Sequence, residues 1–525
     1  MPVYQALLTR RYLTSKVMPL LASLAVVLCT AMVLVVWSVM GGFLAKLVNS
    51  GRTLVGDVVI AWPTVGFPYY DDLVTRIEQD PEVAAAMPMI ETFGQVRFPD
   101  GSVQGVILRG IDGKRFANVT DYASTIWWRP LERPLAKDTE QRDLRLREPP
   151  IGDNPSWQQM YDNAMTMTRR EGNVDRPAVV LGIEVSGYNR RQPEGYFDPL
   201  TPLLRSPNGK VEYMRTFLPQ NGSVTLSVFP QDTRGGVMDM ASRTFPVANE
   251  FHSGLFEIDH RSVLVNFEAL QALVKMNGGK RVKEGAGEIE IATDPATGDD
   301  VIVRPTQFVD EPARATNIVI RSKAETLEGE GARLLANRCR EIYREFAAAH
   351  KGQVPDAETI RVTTWEDQNR TFIAAVKKET SLVLSLFSFI SLTAVFLVLA
   401  IFWSMVSEKT KDIGTLRAIG AGRSGVAGVW LSYGLAIGLV GSILGGVLAY
   451  TIVHNINPIH EWMGRALGIQ IWDPRIYYFS EIPSKMDPIK AAYVLTGGLL
   501  SSVLGALIPA IRAAWMDPVR ALRFE

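Results

Sequence analysis

Only two cysteines, Cys29 and Cys339, occur in 525 residues, and neither sign of charge is in excess: 55 Lys and Arg stand against 55 Asp and Glu. One cysteine sits in an apolar run and the other in a polar region, which excludes a disulfide framework and marks both as structural. A balanced charge leaves no electrostatic footprint for nucleic acid. No G-x-x-x-x-G-K-[ST] loop, G-x-S-x-G elbow, H-E-x-x-H or CxxC pair occurs, and Asn277-Gly278-Gly279-Lys280 is too short for a phosphate loop. Of the five histidines, His252, His260, His350, His454 and His460, the first two can approach each other in a hairpin. No Cys or carboxylate spacing around them supports a metal. Catalytic, cofactor-binding and metal-ligating residues are therefore all read as none, and the chain as not an enzyme.

Charge is also missing locally. Four runs hold no charged residue: 29 residues between Lys16 and Lys46, 28 from Thr380 to Ser407, 30 from Ser424 to Val453, and 21 from Ala491 to Ile511. Each is long enough to cross a bilayer core, which takes about 20 residues. A signal peptide competes for the first run, and Thr9-Arg10-Arg11-Tyr12-Leu13 has a twin-arginine flavour, but a signal core is shorter and no A-x-A site closes this one. The mean hydropathy of +0.07 at 21% charged residues fits spans attached to a large soluble part. Ion-coupled transporters usually use an Asp, Glu, His or Arg inside the membrane. None lies in these runs, so the energy for any transport must come from a partner.

Flanking basic residues orient the spans. Arg10, Arg11 and Lys16 precede the first; Lys409, Lys411, Arg417 and Arg423 lie between the second and third; Arg512, Arg520 and Arg523 follow the fourth. The loop 454–490 has four Lys or Arg in 37 residues. Both termini and the loop 408–423 are expected in the cytoplasm, with 46–375 and 454–490 outside. The outer region reads as mixed α/β. Strands are expected at Gly56–Trp62, Glu91–Phe98, Val103–Leu108, Ala178–Val185, Ser223–Phe229, Ser262–Val265 and Asn317–Arg321, with a tight turn at Asp100-Gly101. Helices are expected at Tyr69–Gln79 and Glu325–His350, a Gly- and charge-rich loop or hairpin at Lys280–Asp300, and an irregular insertion over Pro130–Arg176.

The stretch Thr363–Ala421 connects the two parts. Thr363 and Glu366 stand at capping-box spacing, and with no proline before Ala421 the simplest reading is one helix from there through the second span. Beyond the span, Glu408–Ala421 places Ile413, Leu416 and Ile419 at near-helical spacing with Lys409, Lys411, Asp412 and Arg417 on other faces. Gly420 and Gly422 can end it. The residues alone admit two readings: a helix resting on the bilayer surface, or a coupling helix seated in a groove of an ATPase. Asp517-Pro518 marks a last helix start.

These segments resemble the lipoprotein-releasing (LolC/LolE-like) permeases within the MacB/FtsX-like family of ABC transporter permeases. The likeness rests on Ser38-Val39-Met40-Gly41-Gly42-Phe43, on Phe251-His252-Ser253-Gly254-Leu255-Phe256-Glu257-Ile258-Asp259, and on Thr364-Trp365-Glu366-Asp367 with Asn369. It rests also on Glu408-Lys409-Thr410-Lys411-Asp412-Ile413-Gly414 with Leu416-Arg417-Ala418-Ile419-Gly420-Ala421, and on the tail from Pro509 to Arg523. The outer domain is longer than the family's, with extra residues at 130–176 and 187–220.

The resemblance implies an α-helical membrane protein of four transmembrane helices, with a large α/β (α+β) extracytoplasmic domain inserted between spans one and two. The expected division is 1–45 for the N-terminus and first span, 46–363 for a two-part periplasmic domain (about 46–125 with 313–363, and about 126–312), and 364–525 for the FtsX-like permease domain. It tips the open choice at 408–421 towards ATPase coupling through Glu408, Lys409, Asp412, Ile413, Leu416, Arg417 and Ile419. The stalk starts at Thr363, Trp365 and Glu366. The function implied is an inner-membrane permease subunit that couples ATP hydrolysis by a separate ATPase to release of lipoproteins towards the outer membrane. The chain itself holds no cofactor; ATP and Mg belong to the partner. A second permease copy or paralogue and a periplasmic lipoprotein carrier complete the implied partners. MacB-like export of peptides or small molecules, and FtsX-like signalling to a cell-wall hydrolase, are the alternatives.

Overall fold

The computed structural model describes residues 17–522 apart from 133–142, 147–155, 193–194, 200, 204–211, 215–216, 233–234, 283–289, 294–299, 304–307, 324–329, 369, 468–471, 473–478 and 480–481. Arg10, Arg11, Lys16, Asn369 and Arg523, used in the sequence reading, lie outside the described residues. The chain divides into two compact units, Met1–Leu47 with Thr371–Glu525, and Val48–Arg370. The first helix, α1 (Val17–Arg52), carries the first apolar run.

The α/β unit is organised by one sheet. Its strands are β1 (Val58–Ala61), β2 (Val83–Arg97), β3 (Val103–Ile111), β4 (Val179–Gly182), β5 (Ser223–Val228), β6 (Ala241–Phe251), β7 (Ser262–Asn266), β8 (Asn317–Ser322) and β9 (Arg361–Thr364). They run in the order β5-β6-β4-β7-β3-β2-β8-β1-β9, and β5 also pairs with β2. That extra pairing closes β2, β3, β7, β4, β6 and β5 into a six-stranded barrel. The length of β2 makes this possible: Val83–Met89 pairs with β8, while Ile90–Arg97 pairs with β3 and its last four residues also with β5. Strict alternation fills the barrel with Val106 and Leu108, Val179 and Leu181, Val224 and Leu226, Val263 and Val265. The β2–β3 turn is the Asp100-Gly101 turn expected, with Gly101 at φ +85°.

Helices cover the sheet beyond the barrel. α2 (Tyr70–Glu78) and α6 (Glu330–Ala349) bury Leu73, Ile77, Leu335, Cys339 and Tyr343 against β1, β8 and β9. Cys339 is fully buried there, which pushes its thiol up to about 12 and leaves it inert. α3 (Gly113–Val119), α4 (Trp157–Thr166) and α5 (Phe267–Leu273) pack on the barrel. Pro130–Arg176 is therefore not wholly irregular: it contains α4 and a hairpin of Thr168–Glu171 with Val174–Pro177. Ser156 caps α4, accepting from Gln159 N at 3.1 Å, and the Pro/Arg-rich sequence before it hides that start.

One carboxyl is deep in this unit. Glu250 on β6 is buried, its Oε2 accepting from Trp128 Nε1 at 2.7 Å and its Oε1 from Asn189 Nδ2 at 2.9 Å. Burial outweighs these bonds and raises its pKa from the ordinary 4.5 to about 7. Burial also raises that of Glu184, and Asp259 adds to it. A raised acid binds its proton more tightly folded than unfolded, so stability is full below pH 4.5 and falls as pH rises through about 7. We expect the unit to lose on the order of 3 kcal/mol between pH 5 and pH 8 in chemical denaturation, a slope that Glu250→Gln flattens.

Among the described residues the membrane unit has four helices long and apolar enough to cross a membrane: Pro19–Lys46 of α1, Ile373–Glu408 of α7 (Arg370–Glu408), α9 (Arg423–His454) and α11 (Pro488–Ala514). Between α7 and α9 lies α8 (Thr410–Ala418); α10 (Ile456–Leu467) follows α9, and α12 (Pro518–Leu522) ends the described chain. α9 is the hub. Gly434 and Gly438 face Ala506 and Ser502 of α11, while Gly441 and Gly445 face Val26 and Thr30 of α1. Small residues at this spacing let helices approach without a side chain between them. Ser502 Oγ donates to Gly434 O at 2.9 Å across the contact. α10 is a helix the sequence reading did not single out; its Ile459, Trp462 and Leu467 are exposed.

The expected single helix from Thr363 to Ala421 is divided. Thr363 pairs with Val59 in the β9–β1 ladder, so it is a strand residue. The cap is one residue later: Thr364 Oγ1 accepts from Asp367 N at 3.1 Å and donates to Asp367 Oδ2 at 2.9 Å. Trp365, buried, opens the short helix Trp365–Gln368, and Glu366 is half-buried on it. α7 then runs to Glu408, and Lys409 breaks it from α8.

Candidate functional site

The corner formed by α8 and α12 is built by six local devices. Thr410 Oγ1 donates to Ser407 O at 2.7 Å, fixing the turn out of α7. Lys409 Nζ lies 2.8 Å from Asp412 Oδ2, a half-exposed pair that orients the break but adds little stability. Gly420, at φ +103°, ends α8 in a Schellman motif in which Ala421 N donates to Leu416 O at 3.0 Å. Arg417 Nη1 donates to Ala514 O at 3.0 Å, placing a cation on the C-terminus of α11, where the helix dipole favours it. α12 is seated against α8 through Gly414, where a Cβ would stand 2.8 Å from Ala521 Cβ. Asp517 starts α12 by accepting from Val519 N at 2.9 Å.

The seven residues read as coupling residues do not share one face. Ile413 is buried among the α7, α9 and α11 side chains, Leu416 is half-buried, and Ile419 is 81% exposed. Spacing of i, i+3, i+6 drifts by about 60° per step on a helix of 3.6 residues per turn, so the first and last positions point apart. Ile413 and Arg417 therefore build the corner, while Glu408, Asp412 and Ile419 are displayed by it. The sequence reading missed three further displayed residues: Trp515, Val519 and Leu522, exposed by 69%, 64% and 50%. Their signal was present in the apolar positions either side of the Asp517-Pro518 start. Arg423 stacks over Trp515 at 4.5 Å, so a cation frames the patch. A surface of large apolar side chains edged by charge is the anatomy of a contact surface.

Other residues singled out in the sequence are structural. Asp259, fully buried, accepts from Ser253 N at 2.7 Å and Gly254 N at 3.2 Å and lies 2.7 Å from His252 Nδ1. It thus pins the turn Phe251–Leu255, and Gly182 is packed against its backbone, where no Cβ fits. His260 Nδ1 lies 3.2 Å from Glu184 O and its ring stacks on Phe256. Among the described residues no group of His, Cys, Asp and Glu could hold a metal ion. Ser38–Phe43 has a comparable role in the membrane unit: Ser38 O accepts from Lys485 N at 3.1 Å, and Phe43 meets Phe479 edge-on at 5.2 Å. A Cβ at Gly42 would stand 2.7 Å from Lys485 N.

Residues 384–518, which include the whole of α8 and most of the span region, match the family FtsX-like permease C-terminal. The chain is 26% identical over 174 residues to the lipoprotein-releasing system transmembrane protein LolC of Neisseria meningitidis, covering 33% of this chain and 42% of that protein. It is 24% identical over 295 residues to LolC of Xylella fastidiosa, covering 56% of this chain and 58% of that one. A macrolide export ATP-binding/permease protein MacB of Yersinia pestis is 31% identical over 164 residues, 30% of this chain and 21% of that protein. The chain thus spans about half the length of the LolC proteins it matches. The resemblance to LolC/LolE-like ABC transporter permeases holds.

Proposed function

We propose that this chain is the permease subunit of an ABC transporter that releases lipoproteins from the inner membrane towards the outer membrane. The corner of α8 and α12 supports the permease reading. It offers an apolar surface to a separate ATPase, which supplies the energy that four uncharged runs have no Asp, Glu, His or Arg to harvest. ATP and Mg are that partner's. The likeness to LolC supports the cargo.

In this reading the termini and α8 are cytoplasmic. Residues 46–363 form the periplasmic domain between spans one and two, and 364–525 form the permease domain. A second permease copy or paralogue pairs with this one, and a periplasmic carrier receives the cargo. The stalk from Thr363, Trp365 and Glu366 into α7 carries nucleotide-driven movement outward. Depleting the protein should strand outer-membrane lipoproteins in the inner membrane, measured by fractionation. Unaltered sorting after depletion would overturn the cargo assignment.

A further inference from the structure

Two cavities of the membrane unit lie on consecutive turns of the same two helices. The deeper one, about 210 Å³, is walled by Cys29, Thr30 and Val33 of α1, by Gly497 and Ser502 of α11, and by Ser391 of α7. Its polar side chains, Ser501 apart, look inward to their own partners. Thr30 Oγ1 donates to Val26 O at 2.8 Å, Ser502 Oγ to Gly434 O at 2.9 Å, and Cys29 Sγ lies 3.1 Å from Ser391 Oγ. Apart from Ser501, what remains on the wall is hydrocarbon. The other cavity, about 310 Å³, lies one helical turn further along, lined by Leu34, Trp37 and Ser38 of α1 and by Lys485, Asp487 and Lys490.

This second cavity is cationic. Two lysines face one carboxylate, and Asp487 Oδ1 is already committed to capping α11, accepting from Ile489 N at 2.9 Å and Lys490 N at 3.4 Å. Lys490 Nζ lies 3.7 Å from Asp487 Oδ2 and 6.0 Å from the Trp37 ring centre, at the membrane-interface end of its helix. Eight residues of helix separate Thr30 from Ser38, about 12 Å at 1.5 Å per residue. A dry slot of that depth beneath a lysine pair has the chemistry of a phospholipid: phosphate at one end, hydrocarbon at the other.

We propose that the α1–α11 seam holds one anionic phospholipid, its phosphate between Lys485 and Lys490 and an acyl chain laid past Leu34 into the Cys29–Ser391 slot. The site lies within this chain's own membrane unit and requires nothing of the cargo. It stands whether the transported substrate is a lipoprotein or not.

The test uses the full chain in detergent and reads lipid retention by native mass spectrometry, with phosphatidylglycerol and phosphatidylcholine of identical acyl chains. Phosphatidylglycerol should be retained at one per chain and about tenfold more tightly, a preference of the size two partly exposed lysine contacts give. Lys485→Gln with Lys490→Gln should bring the two lipids level. Gly497→Leu, at a position where a Cβ meets nothing within 4 Å, should fill the slot and weaken both lipids. Cys29 supplies an independent readout, since Cys339 is fully buried. Phosphatidylglycerol should slow maleimide labelling of Cys29, and inorganic phosphate should not. Equal retention of both lipids by the unaltered chain, or an unchanged preference in the double lysine variant, would overturn the proposal. So would protection of Cys29 by inorganic phosphate alone.

Discussion

Ile419→Asp is expected to abolish co-purification of the ATPase while leaving the membrane unit folded and inserted. Ile419 is 81% exposed at the C-terminal end of α8, so a carboxylate there disturbs no packing within the chain. In a complex it would stand where an apolar anchor is desolvated, and losing such an anchor costs about 2 kcal/mol or more, roughly thirtyfold in affinity. Leu416→Asp should also break the association, but its half-buried position adds a cost to the corner itself. Ile413→Asp is the contrast. Its side chain is buried beside Phe402, Trp430 and Ala513, so the charge would unseat α8 and lower the accumulated protein. Size-exclusion profiles with pull-down of the ATPase separate the cases. Should the Ile419→Asp chain retain the ATPase at the unaltered level, α8 rests on the bilayer and the coupling assignment fails.

Gly438→Leu is expected to be severely damaging to the membrane unit. A Cβ at this position would stand 2.9 Å from Ser502 Cβ and 3.1 Å from Leu499 O, so α9 and α11 would have to separate along their whole contact. Overpacking a tight interior contact costs about 1–3 kcal/mol, and a bulky side chain forced against backbone lies at or above that range. The bond from Ser502 Oγ to Gly434 O, one turn away, would be lost with it. The expected result is little folded protein after detergent extraction. Gly497→Leu in the neighbouring helix meets open space and should accumulate normally. Equal yields from the two variants would mean that the α9–α11 contact does not hold the unit together.

The spans were the most legible part of the chain, because an uncharged run of 21 residues or more has few other uses. Most strands and the Asp100-Gly101 turn were legible from alternation and turn chemistry. The closed barrel was not. It depends on Gly94–Arg97 pairing with Thr225–Val228, and no local pattern specifies a partner so distant in sequence. The helix start was placed one residue early, since Thr363 and Thr364 both satisfy a cap and only the β9–β1 ladder decides between them. At α8 the residues were found but not their directions. Periodicity named Ile413, Leu416 and Ile419 together, whereas the Gly414–Ala521 contact with α12 determines which of them is inside.

The sheet order also governs when the α/β unit can become complete. Strand β1, Val58–Ala61, pairs on one side with Asn317–Ile320 and on the other with Arg361–Thr364. Both partners emerge only after every strand of the barrel has been made. Local hairpins such as β2–β3 can form early, but β1 stays unpaired while the intervening chain is synthesised, and closing such long loops precedes any gain from the contacts. The interval exposes Val58, Val59 and Ile60 as a short apolar template for aggregation. Biogenesis of this chain therefore has a late, obligatory step, in which the segment just before α7 docks beside β1 and seals the unit.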